Sequence, residues 1–295
     1  MTGTVEPAFA FVIPRGIAPG SCAPALQSWL YLTLFEFAMP FPNPVLAALN
    51  KADPGWQPVL KRGLEALQSA DAGYLPGLID DRFLPTENRL FAAFAQPIEK
   101  VRYVLVGEGP YPRAESATGV CFMDGAVGSL WSEGGLSKQV NRATSLRNFM
   151  KMLLVADGQL DVAQTSGLAM APIGAKARIA GSTMIQTLAD LQGNLTRHGF
   201  LLLNAALVFR SHVPPVKEAK AWRPFLQAVL SALAQREVPA TLVLWGKIAE
   251  QLQTLQHVDR FPQAVSEHPY NLSFIGNAGM QSLFGAMHLL DKQYP

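Results

Sequence analysis

Cysteine is nearly absent from this sequence. Cys22 and Cys121 are the two present in 295 residues, and no CxxC pair exists. Cysteine alone therefore cannot build a zinc or iron–sulfur site, and a reducing, intracellular compartment fits this usage. Charge is also scarce. Asp, Glu, Lys and Arg make up 16% of the chain, the net charge is +2 and the pI is about 8.5. A strongly basic nucleic-acid binder is not indicated, although a local basic face is permitted. Long apolar runs are missing too. The most apolar early stretch, Ala25 to Met39, is interrupted by Gln27 and Glu36 and stopped by Pro40, so it is too short and too polar to span a bilayer. No basic residue precedes Arg15, so the charged start of a signal peptide is lacking. Internal repeats and low-complexity tracts are absent. These absences lead to the expectation of a cytoplasmic monomer with no membrane segment, no metal and no cofactor.

Apolar residues are abundant, at 49%. That is enough for a sizeable core and leaves little room for long disorder. The spacing of Trp29, Leu30, Thr33, Leu34 and Phe37 predicts a helix over Ala25–Met39. Trp56, Val59, Leu60, Leu64 and Leu67 predict a second, started at Asp53-Pro54. Residues 1–70 read as a partly helical extension packed on a main domain over 71–295. Residues 71–98 read as loops with a short helix near Asn88–Ala95, and 158–182 as an insertion loop. Helices are predicted at Leu146–Leu154 (with Thr144 or Ser145 as N-cap), at Met184–Leu195, through Trp222 to Leu233, and at Met280–Leu290.

Between the helices lie short apolar runs: Val101–Val106, Phe200–Asn204, Thr241–Trp245 and Ala264–Ser266. Alternating strands and helices predict a three-layer α/β/α fold around a central, mainly parallel four-stranded sheet. Several strands end on a chemically capable side chain. The first is followed by Gly107-Glu108-Gly109-Pro110-Tyr111, the second ends at Asn204, and the fourth is followed by Glu267-His268. Parallel strands deliver such ends to one sheet edge, where open α/β sheets bind ligands. Asn204 can read a donor–acceptor edge of a planar heterocycle. Phe122 can stack on its face. A neutral His268 can donate to a developing anion, and Glu108 can face a developing cation or orient water. Plainer readings remain open at this point: a solvated turn carboxylate, a strand-end Asn bonding its own turn, core aromatics.

These residues resemble the uracil-DNA glycosylases, specifically the housekeeping class. The family's Gly-Gln-Asp-Pro-Tyr turn is matched by Gly107-Glu108-Gly109-Pro110-Tyr111, and Phe122 follows Tyr111 with the family's ten intervening residues. Leu201-Leu202-Leu203-Asn204 is similar to its uracil-reading strand. Thr241-Leu242-Val243-Leu244-Trp245-Gly246 is similar to its third strand, and His268-Pro269-Tyr270-Asn271-Leu272-Ser273 to its His-Pro-Ser-Pro-Leu-Ser motif. Thr144-Ser145-Leu146-Arg147-Asn148 resembles the segment that grips DNA phosphates. The similarity runs from Leu75 to the C-terminus.

The resemblance implies hydrolysis of the glycosidic bond of a uracil flipped out of single- or double-stranded DNA, in base excision repair. It implies that Tyr111, Phe122 and Asn204 bind uracil, that His268 stabilises the leaving base, and that Ser145, Arg147, Leu272 and Ser273 contact DNA. Leu272 would be the apolar wedge. The chain departs from the family at one chemically decisive position, because Gly109 stands where the family has its catalytic Asp. Glu108, in place of the family's Gln, is then the carboxylate expected to serve. A related thermophilic branch carries a Gly-Glu-Gly/Ala-Pro turn, together with an iron–sulfur cluster on four cysteines that this chain lacks. Pro112 replaces the family's His, and Tyr270 replaces a phosphate-contacting Ser. A catalytically impaired base or DNA binder, and an enzyme for a different base, are the competing expectations.

Overall fold

A computed structural model describes residues 41–292. The helix expected at Ala25–Met39 falls outside them. The described residues form one compact unit. In chain order its main elements are α1 (Asn43–Leu49), α2 (Gln57–Ala70), α3 (Tyr74–Gly77), β1 (Tyr103–Gly107), a small hairpin of β2 (Trp131–Ser132) and β3 (Gly135–Leu136), α4 (Lys138–Arg142), α5 (Thr144–Ala156), α6 (Gly167–Arg178), α7 (Leu188–Arg197), β4 (Phe200–Asn204), α8 (Pro215–Ala234), β5 (Thr241–Trp245), α9 (Ile248–Leu252), β6 (Gln263–Ser266) and α10 (Ala278–Gly285).

The central sheet has the order β4-β1-β5-β6 and every pairing in it is parallel. β1, β4 and β5 are near-continuous apolar runs because both faces are covered, while the edge strand β6 has no buried residue. Alternate residues point to opposite faces. Val104, Val106, Leu201, Leu203, Leu242 and Leu244 join one core with α2, α8 and α9, which contribute Leu60, Leu64, Trp222, Phe225 and Ile248. Leu105, Leu202, Val243 and Trp245 join the other, with Phe149 and Leu153 of α5, Leu191 and Leu195 of α7, and Met280 and Phe284 of α10. The result is the expected three-layer arrangement. Val45 of α1 and Leu60, Leu64 and Leu67 of α2 share the first core with the sheet. Burying a side chain such as Leu60, fully inaccessible here, contributes on the order of 2 kcal/mol.

Register brings the chemistry together. Gly107 pairs with Asn204, Val106 with Leu244, and Trp245 with Ser266. All four strands therefore end at one level. The chain runs from β1 outward to β4 through helices on one face, then returns over the other face through α8 to β5. This reversal beside β1 is the topological switch point at which such sheets leave a crevice.

Four local expectations are corrected. Residues 158–182 are not all loop, since α6 occupies Gly167–Arg178. Its buried face, Met170, Ile173, Gly174 and Ala177, has helical spacing, but Leu168, Ala169 and Ala171 off that face are apolar as well, so no stripe stood out. The helix expected from Met184 starts at Leu188. Thr187 caps it in a reciprocal box with Asp190, while Met184 and Thr187 form bridges to Asp291 and Ser129. The short helix expected near Asn88–Ala95 is a 3₁₀ turn, Ala92–Phe94. Finally, neither Thr144 nor Ser145 caps α5. The N-cap is Ala143 and accepts no side-chain role, so the first-turn amides have no side-chain acceptor.

Candidate active site

At the switch point, β1 runs into the Gly107–Tyr111 turn. This turn stays paired to the turn after β4: Ala205 N–H donates to the Gly107 carbonyl at 2.8 Å, and Ala206 N–H to the Glu108 carbonyl at 3.1 Å. The ladder thus continues past the sheet and holds Glu108 beside Asn204. Gly107 is required by space. A Cβ there would lie 2.9 Å from the Cys121 Cβ and 3.0 Å from Asn204 Oδ1. At Gly109 the same test meets nothing nearer than Ala206, at 3.7 Å. Glycine at 109 is therefore not demanded by packing.

These turns enclose a cavity of about 240 Å³ lined by Glu108, Tyr111, Cys121, Phe122, Ser145, Asn204, Trp245, Ile248 and His268 among others. The volume is below the roughly 300–1,000 Å³ of drug-sized sites and suits a single small ring. A larger hollow of about 580 Å³ lies elsewhere, lined by Pro44, Phe83, Leu84, Pro85, Pro112 and Phe209 among others. It contains none of the strand-end residues, so we assign the chemistry to the smaller cavity.

Asn204 is buried at 3% exposure, yet among the described residues no protein group hydrogen-bonds its side-chain amide. A buried amide without a partner is costly, and here it faces a cavity that could supply one. Phe122 adopts φ +67°, a left-handed conformation that costs a bulky residue about 1–2 kcal/mol. Its ring makes edge contacts with Trp245 and Phe149 at 5.1 and 5.3 Å, and the partly buried residue lines the cavity. The Tyr111 hydroxyl donates to the Phe122 carbonyl at 3.4 Å. Burial, with help from Asp124 and Cys121, pushes the Tyr111 phenol up to about 12, so it stays neutral. Cys121 is wholly buried, donates to the Leu105 carbonyl at 3.3 Å, and has its thiol pushed up by burial. It fills the floor as an unreactive group.

His268 sits at the rim. Its Nδ1 accepts the Tyr270 backbone N–H at 3.1 Å. The proton of the neutral ring therefore resides on Nε2, which is left to donate. Desolvation lowers its pKa from the ordinary imidazole value, and the nearby Glu108 carboxylate pulls the opposite way. Gly246, at φ +62°, allows the close approach, since a Cβ there would stand 3.0 Å from the His268 Cβ. The Glu108 side chain is exposed and makes no hydrogen bond among the described residues, so no structural partner consumes it. Asp124, by contrast, is tied to Arg113 at 3.7 Å and to the Ala126 N–H at 2.9 Å.

Of the expected site residues, Glu108, Tyr111, Phe122, Ser145, Asn204 and His268 converge on one cavity. Arg147, Leu272 and Ser273 do not line it. Arg147 donates to the Asn141 carbonyl at 3.0 Å and to Asn148 Oδ1 at 3.4 Å. Ser273 hydrogen-bonds Glu267. Leu272 is exposed on the loop after His268. Two organising residues escaped the sequence reading. Asn148, fully buried in α5, donates through Nδ2 to the carbonyls of Pro269 at 2.8 Å, Tyr270 at 3.3 Å and Asn271 at 3.4 Å. Glu267 accepts from Asn277 at 2.8 Å. Partial burial raises its pKa, but hydrogen bonds from Ser273, its own backbone and Asn277 outweigh that and lower it. Trp245, which ends β5 as Asn204 ends β4, also lines the cavity. Among the described residues, no group of three His, Cys, Asp or Glu could hold a metal ion.

The profile described as the Uracil DNA glycosylase superfamily matches residues 95–284, which is more than half of the chain. The chain belongs to the uracil DNA glycosylase superfamily. A Uracil-DNA glycosylase of Corynebacterium glutamicum is 30% identical over 222 residues, covering 74% of this chain and 80% of that protein. One of Thermobifida fusca is 30% identical over 213 residues, covering 72% and 76%. A crystal structure of the wild-type UNG from Nitratifractor salsuginis is 37% identical, with a TM-score of 0.75, covering 92% of this chain and 100% of that one. Superfamily membership and the α/β/α fold are thereby established. Among the described residues, no helix is long and apolar enough to cross a membrane.

Proposed function

We propose that this protein is a uracil-DNA glycosylase that uses Glu108 in place of the family's missing Asp. The observation that carries the proposal is the convergence of Glu108, Asn204, His268 and the Phe122 face on one cavity of about 240 Å³ in a member of this superfamily. A uracil-containing strand of DNA, single or double, is the substrate. The base leaves the stack and enters the cavity, stacks on Phe122, and pairs its edge with the Asn204 amide. Tyr111 stands against C5 and crowds out the methyl group of thymine.

The bond between C1′ and the base nitrogen then breaks. Its electron pair leaves with uracil, whose developing negative charge meets the Nε2–H of His268. The sugar becomes oxocarbenium-like, and the Glu108 carboxylate stabilises that positive charge and orients a water molecule. The water oxygen bonds to C1′ and its proton passes to the carboxylate. Hydrolysis is complete when uracil takes up a proton. Ser145 and Arg147 at the start of α5, with Leu272 and Ser273, hold the DNA. The chain acts as a monomer in the cytoplasm, in base excision repair.

The test is release of uracil from single- and double-stranded oligonucleotides, read as abasic product. Product with unmodified protein is the expected result; none at stoichiometric enzyme sinks the reading. Gly109 favours one second reading, a superfamily member that binds the base without cleaving it. Binding of an uncleavable uracil analogue without turnover of the natural substrate would select it.

A further inference from the structure

The loop after His268 presents two large apolar side chains to solvent. Tyr270 is 68% exposed and Leu272 is 70% exposed. Both lie within four residues of His268, which lines the cavity, and neither lines it. The loop carrying them is held firmly. Tyr270 donates its N–H to His268 Nδ1 at 3.1 Å, and its carbonyl accepts from the buried Asn148 at 3.3 Å. Its ring is thus free on a fixed backbone, and among the described residues no hydrogen bond engages its hydroxyl.

Between them, Asn271 is extended, with φ −78° and ψ 139°, and Leu272 begins a 3₁₀ turn, Leu272–Gly276.

We infer that Tyr270 is a stacking residue: its ring packs on an unpaired or partly unstacked base next to the flipped nucleotide while Leu272 fills the vacated slot. This rests on the glycosylase reading above and adds a second contact to it. An aromatic ring at this position does different work from a small hydroxyl residue, because it binds the π-face of a base of any sequence. Stacking of this kind is worth roughly a five- to hundredfold change in affinity per base. It favours substrates in which the neighbouring base is free to meet the ring, so single strands and mismatched duplexes gain more from Tyr270 than perfect duplexes.

The test uses the full chain and oligonucleotides carrying 2-aminopurine beside either uracil or an uncleavable uracil analogue. Tyr270→Phe keeps the ring and Tyr270→Ser removes it. The expected result is a 2-aminopurine fluorescence change with wild type and Tyr270→Phe but not with Tyr270→Ser. On the cleavable strand, Tyr270→Ser raises KM about tenfold with kcat within about twofold, and Tyr270→Phe restores both. Equal impairment of the Phe and Ser variants would overturn the inference in favour of a hydroxyl contact with phosphate. An unaltered Ser variant would overturn it outright. If wild type releases no uracil, the glycosylase reading fails, and the fluorescence arm still decides Tyr270: a signal lost only in Tyr270→Ser supports stacking, and bound DNA without a signal refutes it. If wild type binds neither oligonucleotide, both readings fall.

Discussion

His268 Nδ1 accepts the backbone N–H of Tyr270 at 3.1 Å, and this one bond sets what the imidazole can do. It places the neutral ring's proton on Nε2. It also opposes protonation, because a charged ring would turn Nδ1 into a second donor facing an N–H. Desolvation acts in the same direction, lowering the pKa from the ordinary value of 6.5, while Glu108 raises it. The sign follows. The unfolded chain takes up the proton first as pH falls, so the associated stability is present above 6.5 and is lost on descending through the folded value.

The first prediction is therefore spectroscopic. Titration of His268 followed by NMR should give a midpoint below 6.5, with Nδ1 unprotonated in the neutral form. Glu108→Gln should move the midpoint lower still, because it removes the charge that raises it. A midpoint at or above the ordinary value, or an upward move in the variant, contradicts this arrangement.

Gly109 supplies a second prediction. A Cβ at this position has its nearest neighbour at 3.7 Å and no left-handed backbone is required. Gly109→Asp should fold with stability unchanged to within about 0.5 kcal/mol, as expected for an exposed substitution free of strain. It should restore much of the activity lost in Glu108→Gln, by returning a carboxylate to the same turn. Loss of folding, or no gain in the double variant, would show that the two positions are not interchangeable.

Asn148 joins α5 to the loop after His268. Its side chain, fully buried, carries three contacts from α5 to the loop of Pro269, Tyr270 and Asn271. Asn148→Ala leaves those carbonyls without their donor and should cost about 1–3 kcal/mol in chemical denaturation. Because His268 and Leu272 ride on the same loop, uracil release should fall by more than the folded fraction accounts for. A loss of stability alone would assign Asn148 to the fold and not to the site.

Much of this was legible in the chain. Buried parallel strands read as continuous apolar runs, and a polar residue at or just past the end of three of the four strands marks the sheet edge, which is why Glu108, Asn204 and His268 stand out together. The convergence of Phe122 was legible only through its spacing from Tyr111, since its left-handed backbone has no sequence signature. The rest was hidden for physical reasons. Helix α6 contains Pro172 and is apolar off its buried face too, which hides its stripe. The start of α5 looks capped by Thr144 or Ser145, but the chain turns one residue earlier, at Ala143. Asn148 closes the segment that resembles the phosphate-gripping one, and nothing in the sequence points to its partners. Only the fold brings three carbonyls to it, across more than a hundred residues of sequence, with a separation of 121 to the first.

The account turns on the carboxylate of Glu108, and single-turnover uracil release with enzyme in excess measures it most directly. Wild type should release uracil, and Glu108→Gln should do so at least ~100-fold more slowly with binding of an uncleavable analogue unchanged. An unchanged rate in Glu108→Gln would remove Glu108 from the mechanism, and no release by wild type would contradict the account as a whole.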